Sequence, residues 1–224
     1  MIIQKQGYEI LNDISEGGEK ELRLIEQIAR VCYKSVPKTG EFEETKDFIR
    51  RLMKRKHEAM LEHSMLSVKF TCDRGISHEI VRHRLASFAQ ESTRWCNYGK
   101  ERFGKEITVI EPPFLGDDEK TRTWNRVCWR RQCEEAEKIY MYLLDRKEPP
   151  QIARSVLPTC LKTEVVMTAN YREWRHFFEL RTAKDAHPQI RELATQLLIE
   201  LNDKIPVIFE DLAKKVQKEA DNNV

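Results

Sequence analysis

Residues 82–94 read Arg82-His83-Arg84-Leu85-Ala86-Ser87-Phe88-Ala89-Gln90-Glu91-Ser92-Thr93-Arg94. Three arginines, a histidine, two serines, a Gln and a Glu fall within little more than three helical turns' worth of chain. No ordinary core needs that mixture. Arginine is rarely fully buried without a partner, and its planar fork suits carboxylates and phosphates. The one acid inside the stretch is Glu91, so most of its positive charge lacks a local partner. The segment is either a solvated basic loop or a grip on an anion, and the rest of the chain has to separate the two.

The 224 residues suit one large domain or two small ones, and at this length folding buries roughly 70% of the unfolded surface. A hydrophobic fraction of 40% against 34% charged residues fits a water-exposed surface rich in ion pairs. The net charge of +2 argues against a general nucleic-acid binder, so any anion site is local. Apolar runs are short and broken by charge, which excludes a membrane span. The opening Met-Ile-Ile-Gln-Lys-Gln lacks a signal peptide's apolar stretch. Cys32, Cys72, Cys96, Cys128, Cys133 and Cys160 contain no C-x-x-C pair and read as reduced thiols, so a cytoplasmic location is expected.

Outward from the basic stretch, periodicity predicts strands at Ile2-Ile3, Tyr8–Ile14, Met65–Cys72, Ile107–Ile110 and Thr163–Ala169. It predicts helices over Glu19–Tyr33, Thr45–Lys56, Ile76–Val81, Pro150–Val156, Asn170–Arg181, Gln189–Leu201 and Pro206–Gln217. The longest helix is expected over Asp117–Arg146, with Trp124, Val127, Cys128, Ala136, Ile139, Tyr140 and Leu143 as a core stripe. Without repeats or linkers, one domain is the simplest organisation, residues 1–218, followed by a frayed tail at 219–224.

Several chemistries can be weighed from residue types alone. His57, His63, His78 and His83 crowd one region, but no H-E-x-x-H is present and no cysteines converge, so no metal is expected. Ser87 and Ser92 lie near His83 without a G-x-S-x-G elbow. The 8 glycines form neither G-x-G-x-x-G nor a phosphate loop. A bound nucleotide would therefore be held by side chains, and Arg154, Arg172 and Arg181 add to Arg82, Arg84 and Arg94 as candidates. A single-strand nucleic-acid binder using these arginines with Phe88, Trp95 and Tyr98 remains the alternative class.

Arg82-His83-Arg84, seven residues and Ser92, with Arg94 two further on, resembles the signature of the flavin-dependent thymidylate synthases. Three stretches agree in order: His57–Phe70 with Glu62-His63, Ala153-Arg154-Ser155-Val156-Leu157-Pro158, and Asn170-x-Arg172 with His176-Phe177-Phe178-x-Leu180-Arg181. The resemblance covers residues from about 20 to 200. It implies an α/β fold of the α+β type, a mixed or antiparallel sheet flanked by helices, assembled as a homotetramer whose sites draw on several chains. It implies methylation of dUMP to dTMP, with methylenetetrahydrofolate as carbon donor, NADPH as reductant and FAD as cofactor, releasing tetrahydrofolate. The partners implied are these small molecules and further copies of the chain, with neither nucleic acid nor membrane.

By position the resemblance assigns Arg82, His83, Arg84, Asn170, Arg172, His176, His57 and Glu62 to the flavin. Arg82, Gln90, Ser92, Arg94, Arg154 and Arg181 fall to the nucleotide, Arg181 being the catalytic arginine at the uracil ring. The chain departs from the family pattern at Ala59, Glu79 and Ala89-Gln90; Ala59 and Ala89 offer no side-chain hydrogen bond. A family-like flavin binder without turnover is therefore a further alternative.

Overall fold

The computed structural model describes residues 1–114 and 118–221. The expected start of the long helix at Asp117 and the last three residues of the expected frayed tail lie outside the described residues. The described strands are β1 (Ile2–Gln4), β2 (Gly7–Ile10), β3 (Met65–Asp73), β4 (Ala86–Gln90), β5 (Thr108–Ile110) and β6 (Lys162–Asn170). The helices are α1 (Glu19–Tyr33), α2 (Phe42–Lys54), α3 (Arg74–Ile80), α4 (Glu119–Asp145), α5 (Pro150–Ala153), α6 (Tyr171–Arg181), α7 (Pro188–Lys204) and α8 (Pro206–Asp221). This is an α+β fold, as expected. β1 and β5 pair in parallel, with Ile2 opposite Thr108 and Gln4 opposite Ile110. The other strands form an antiparallel sheet in the order β2-β3-β6-β4.

The two longest strands show why they form. In β3, Leu66, Val68, Phe70 and Cys72 are buried in alternation, and in β6 the buried set is Thr163, Val165, Met167 and Ala169. Period-two burial is the mark of a sheet with one face on a core. Contacts group the chain into two compact units. One comprises Met1–Gly7, Phe70–Arg82 and Phe88–Val166, and the other Tyr8–Lys69, His83–Ser87 and the residues from Met167 onward.

In the first unit, Tyr98, Ile107, Val109, Cys133, Tyr140, Ala153 and Leu161 form the core. The stripe expected on α4 needs correction. Ala136 and Tyr140 are buried together with Cys133, but Trp124, Val127, Cys128 and Ile139 are exposed. At 100° per residue these exposed side chains fall with Tyr142 on the face opposite Cys133 and Tyr140. The helix carries two apolar faces, and spacing alone cannot say which one meets the core. Trp129 is the tryptophan that packs inward, its indole N–H donating to Cys160 Sγ at 3.3 Å. All six cysteines are free thiols.

In the second unit, α1, α6, α7 and α8 supply the core. Leu22, Ile25 and Ala29 are buried from α1, and Leu193, Leu197, Leu198 and Leu201 from α7. Trp174 and Phe177 of α6 stand 5.4 Å apart, and Phe178 meets Phe209 at 5.6 Å. Edge-to-face pairs of this kind add to simple area burial. The turn before α1 requires glycine: Gly18 has φ +71°, and a Cβ there would lie 2.6 Å from Ile205 Cγ2.

The loop between α1 and α2 is tied down by one carboxylate. Glu44 accepts the backbone N–H groups of Lys38 (2.8 Å), Thr39 (2.7 Å) and Gly40 (3.2 Å), and the Thr39 hydroxyl (3.0 Å). Donation by the Lys38 N–H, then by Thr39, holds its pKa down at about 2 against an ordinary 4.5. A depressed carboxylate stabilises the loop above its ordinary pKa and loses that contribution as pH falls through the folded value. Glu44→Gln should therefore speed amide exchange at Lys38, Thr39 and Gly40 at pH 7. The difference from the parent protein should shrink as the pH is lowered from about 4 towards 2; a difference independent of pH would contradict this.

Candidate active site

α3 is capped by Asp73, whose Oδ1 accepts the Ile76 N–H at 2.7 Å. The helix stops at Ile80, and the chain turns through Val81 and Arg82 before entering β4. Exposure alternates across the signature: Arg82 and Arg84 are exposed, while His83 between them is buried. Among the described residues, neither Arg82 nor Arg84 has a hydrogen-bond or ion-pair partner. Periodicity predicts no element here, yet Ala86–Gln90 forms a strand, with Ala86, Phe88 and Gln90 half-buried and Ser87 and Ala89 exposed.

The inward-turned histidine meets α6. Asn170 caps that helix, Oδ1 accepting the Glu173 N–H at 2.9 Å. The cap fixes the first turn, and Glu173, His176 three residues on and Arg181 about two turns on from Glu173 all reach His83 from this helix. His83 Nδ1 lies 3.1 Å from Glu173 Oε1, with both side chains almost fully buried. Arg181 donates its Nε–H to His83 Nε2 at 3.1 Å. A guanidinium can only donate, so Nε2 carries the lone pair, and Nδ1 carries the proton that it gives to Glu173. Burial lowers the His83 pKa, Glu173 opposes that, and the Arg181 charge reinforces it. His83 is therefore a neutral imidazole of fixed tautomer at neutral pH.

His83, Glu173 and His176 each offer a metal-ligating atom within 4.8 Å of the others. Both His83 nitrogens are already engaged, and a guanidinium sits against one of them. The cluster is better matched to a hydrogen-bond chain than to a cation.

Beside this chain, Glu58, Glu62, Leu85, Asn170, Arg172, Glu173, Arg175, His176 and Glu179 line a cleft of about 440 Å³. Of the expected flavin residues, Glu62, Asn170, Arg172 and His176 are brought together here. Arg172 pairs with Glu62 at 2.5 Å, and both remain about half exposed. Arg175 is buried, held by a two-pronged pair with Asp211 at 2.7 Å and by the Ile208 carbonyl. His57 lies elsewhere, its Nδ1 3.0 Å from the Tyr33 hydroxyl on an exposed surface.

The expected nucleotide residues Gln90, Ser92, Arg94 and Arg154 belong to the first unit. Gln90 Nε2 donates to Ser77 Oγ at 2.9 Å and to Thr163 Oγ1 at 3.3 Å, so its amide is engaged inside the fold. Glu91 accepts the Tyr98 hydroxyl at 2.6 Å and the Lys162 ammonium at 3.2 Å, which anchors the turn that follows. In that turn Ser92 Oγ accepts the Arg94 N–H at 3.3 Å. Arg94 lies over the exposed Trp95 ring, and Arg154 donates to Thr93 Oγ1 at 3.1 Å. The turn thus gathers a hydroxyl and two guanidiniums, a set suited to a phosphate. Glu173 and Thr93 were missed from sequence. Glu173 had one available signal, its place three residues after a capping asparagine.

The fold and these side chains define an α+β protein equipped to hold anionic ligands through arginine. In fold it is similar to the UMP/dUMP methylase PolB from Streptomyces cacaoi bound with 5-Br UMP (TM-score 0.77, 20% identity, 96% of each chain covered). The same protein bound with 5-Br dUMP matches with TM-score 0.77 and 23% identity, covering 94% of this chain and 96% of that one.

The chain belongs to the flavin-dependent thymidylate synthase family. The family model described as thymidylate synthase complementing protein matches residues 15–207. A flavin-dependent thymidylate synthase from Corynebacterium aurimucosum is 31% identical over 216 residues, covering 89% of this chain and 83% of that protein. Its counterpart from Mycobacterium avium is 33% identical over 202 residues, covering 84% and 78%.

Proposed function

We propose that this protein methylates dUMP to dTMP in an FAD-dependent reaction, taking the carbon from methylenetetrahydrofolate and reducing equivalents from NADPH. The observation that carries the reading is Arg181, held at its Nε edge by a buried neutral histidine from the family signature. A guanidinium fixed in this way suits the planar, acidifiable edge of a uracil ring, where it favours the anionic form. Ser92, Arg94 and Arg154 would take the nucleotide phosphate, with Arg82 reaching it as well.

The residues fit a flavin. Arg82 and Arg84 are exposed cations without partners among the described residues, suited to a pyrophosphate, and Arg172 and His176 border a cleft into which Leu85 contributes apolar surface. FAD, when bound, supplies the hydride chemistry that converts a transferred methylene to a methyl group. Glu62 would orient Arg172, and His57 would stand on the flavin side. His83 and Asn170 are engaged within the fold, so their contribution would be to hold Arg181 and the start of α6 in place. Gln90, engaged likewise, would hold β4.

A single catalytic domain over residues 1–218 and a homotetramer complete the proposal. The exposed apolar face of α4, with Trp124, Val127, Ile139 and Tyr142, supports association with further copies. Among the described residues no helix is long and apolar enough to cross a membrane; a cytoplasmic location is proposed. Reconstitution with FAD followed by gel filtration tests the cofactor directly. The expected result is a yellow protein with one flavin per chain, bleached by NADPH in the absence of oxygen. A colourless protein after reconstitution would refute the reading.

A further inference from the structure

The arrangement around His83 assigns work to a residue outside the signature. We infer that Glu173 is a positioning residue for nucleotide binding, acting through His83 on Arg181. This inference rests on the reading of Arg181 as the uracil-binding arginine.

Arg181 offers only donors, so its Nε–H needs a lone pair at His83 Nε2, 3.1 Å away. An imidazole in water exchanges freely between its two neutral tautomers, and only the one protonated at Nδ1 leaves that lone pair in place. The Glu173 carboxylate, 3.1 Å from Nδ1, is an acceptor and selects that tautomer. Glu173 itself is fixed by burial and by the Asn170 cap at its backbone N–H. The ring cannot swing aside, because Phe177 packs against it at 5.0 Å between centroids and His176 at 5.8 Å. Cap, carboxylate, imidazole and guanidinium thus form one hydrogen-bonded sequence that sets the plane of Arg181.

Among the described residues, the charged and titratable groups that act on His83 are Glu173, Arg181 and His176, all from α6. As pH falls through the lowered His83 pKa, Nε2 gains a proton. The acceptor is lost, and two cations are left face to face. Nucleotide affinity should weaken on that acid limb, in addition to the loss caused by the phosphate's own titration. Removing the Glu173 charge takes away the group that favours the imidazolium, so the limb attributable to His83 should move to lower pH.

The test uses the FAD-loaded protein and dUMP as the probe, with affinity measured by calorimetry across pH 5–8. Glu173→Leu, which removes the acceptor as well as the charge, is expected to retain FAD and fold, to bind dUMP roughly tenfold more weakly, and to shift the acid limb downward. In the Arg181→Ala background the same substitution should cause no further loss, since Glu173 acts through Arg181. Unchanged dUMP affinity and pH profile in a folded Glu173→Leu protein would overturn the inference, as would an additive loss in the double variant. If Glu173→Leu does not fold, ¹⁵N shifts of His83 in the parent protein decide the matter. A proton on Nδ1 upholds the inference and a proton on Nε2 overturns it. Failure of the underlying reading looks different: Arg181→Ala alone would leave dUMP affinity unchanged.

Discussion

Arg181→Ala is expected to reduce dTMP formation about a thousandfold or more while FAD remains bound. A donor aimed at developing charge in a transition state is worth about 10²–10³ in rate when removed. Arg181 would supply both that charge and the orientation of the ring that carries it. Its neighbours explain why the effect should be confined to the nucleotide. The expected flavin cation Arg172 has its own partner in Glu62. Some stability should go as well. Truncation removes the donor to His83 Nε2, and leaving a buried polar atom unpaired costs about 1–3 kcal/mol. Rapid-quench measurement of dTMP with a flavin absorbance spectrum checks both halves. Loss of flavin with the arginine would place Arg181 on the cofactor instead.

The second large effect is on stability. Trp174 is fully buried, stands 5.4 Å from Phe177 and 6.0 Å from Phe178, and donates its indole N–H to the Leu66 carbonyl at 3.0 Å. Trp174→Ala should cost about 3–5 kcal/mol, the range for deleting a large aromatic from a packed core. The missing ring accounts for most of that, and the Leu66 carbonyl loses a partner in addition. Because α6 also carries Glu173 and Arg181, dUMP binding should weaken before the protein unfolds globally. Trp174→Phe keeps most of the volume and should be markedly milder. Urea unfolding measures the difference, and a loss below about 1 kcal/mol for the alanine variant would contradict this account of the core.

Much of the architecture was legible because it follows from local periodicity. The apolar spacing of Leu22, Ile25 and Ala29 sets α1 at Glu19–Tyr33 in both sequence and structure. β6 announces itself through β-branched residues, and Asn170 marks the start of α6. What was not legible depends on partners distant in sequence. β4 contains no β-branched residue; it is a strand because it lies beside β6 in the sheet. On α4 both faces are apolar, so the expected stripe mixed buried Tyr140 with exposed Trp124. The second helix begins at Phe42 rather than Thr45, and the third at Arg74 rather than Ile76, where Asp73 caps it. Glu219 and Asp221, expected to be frayed, lie within α8.

The site divides in the same way. The signature picks out Arg82, His83 and Arg84 as a group, but cannot tell that the middle residue turns inward and the outer two do not. Nor does it reveal Glu173, whose contact with His83 spans 90 positions of chain. The expected phosphate residues Ser92, Arg94 and Arg154 proved to share a neighbour in Thr93 or its turn, a link carried by one hydrogen bond between segments 61 positions apart.

The central claim is a conversion, and one measurement meets it directly. FAD-loaded protein is incubated with dUMP, methylenetetrahydrofolate and NADPH without oxygen, and the nucleotide products are separated. The account predicts dTMP formed in step with NADPH consumed and tetrahydrofolate released. Recovery of dUMP unchanged, with NADPH consumed or not, would contradict it.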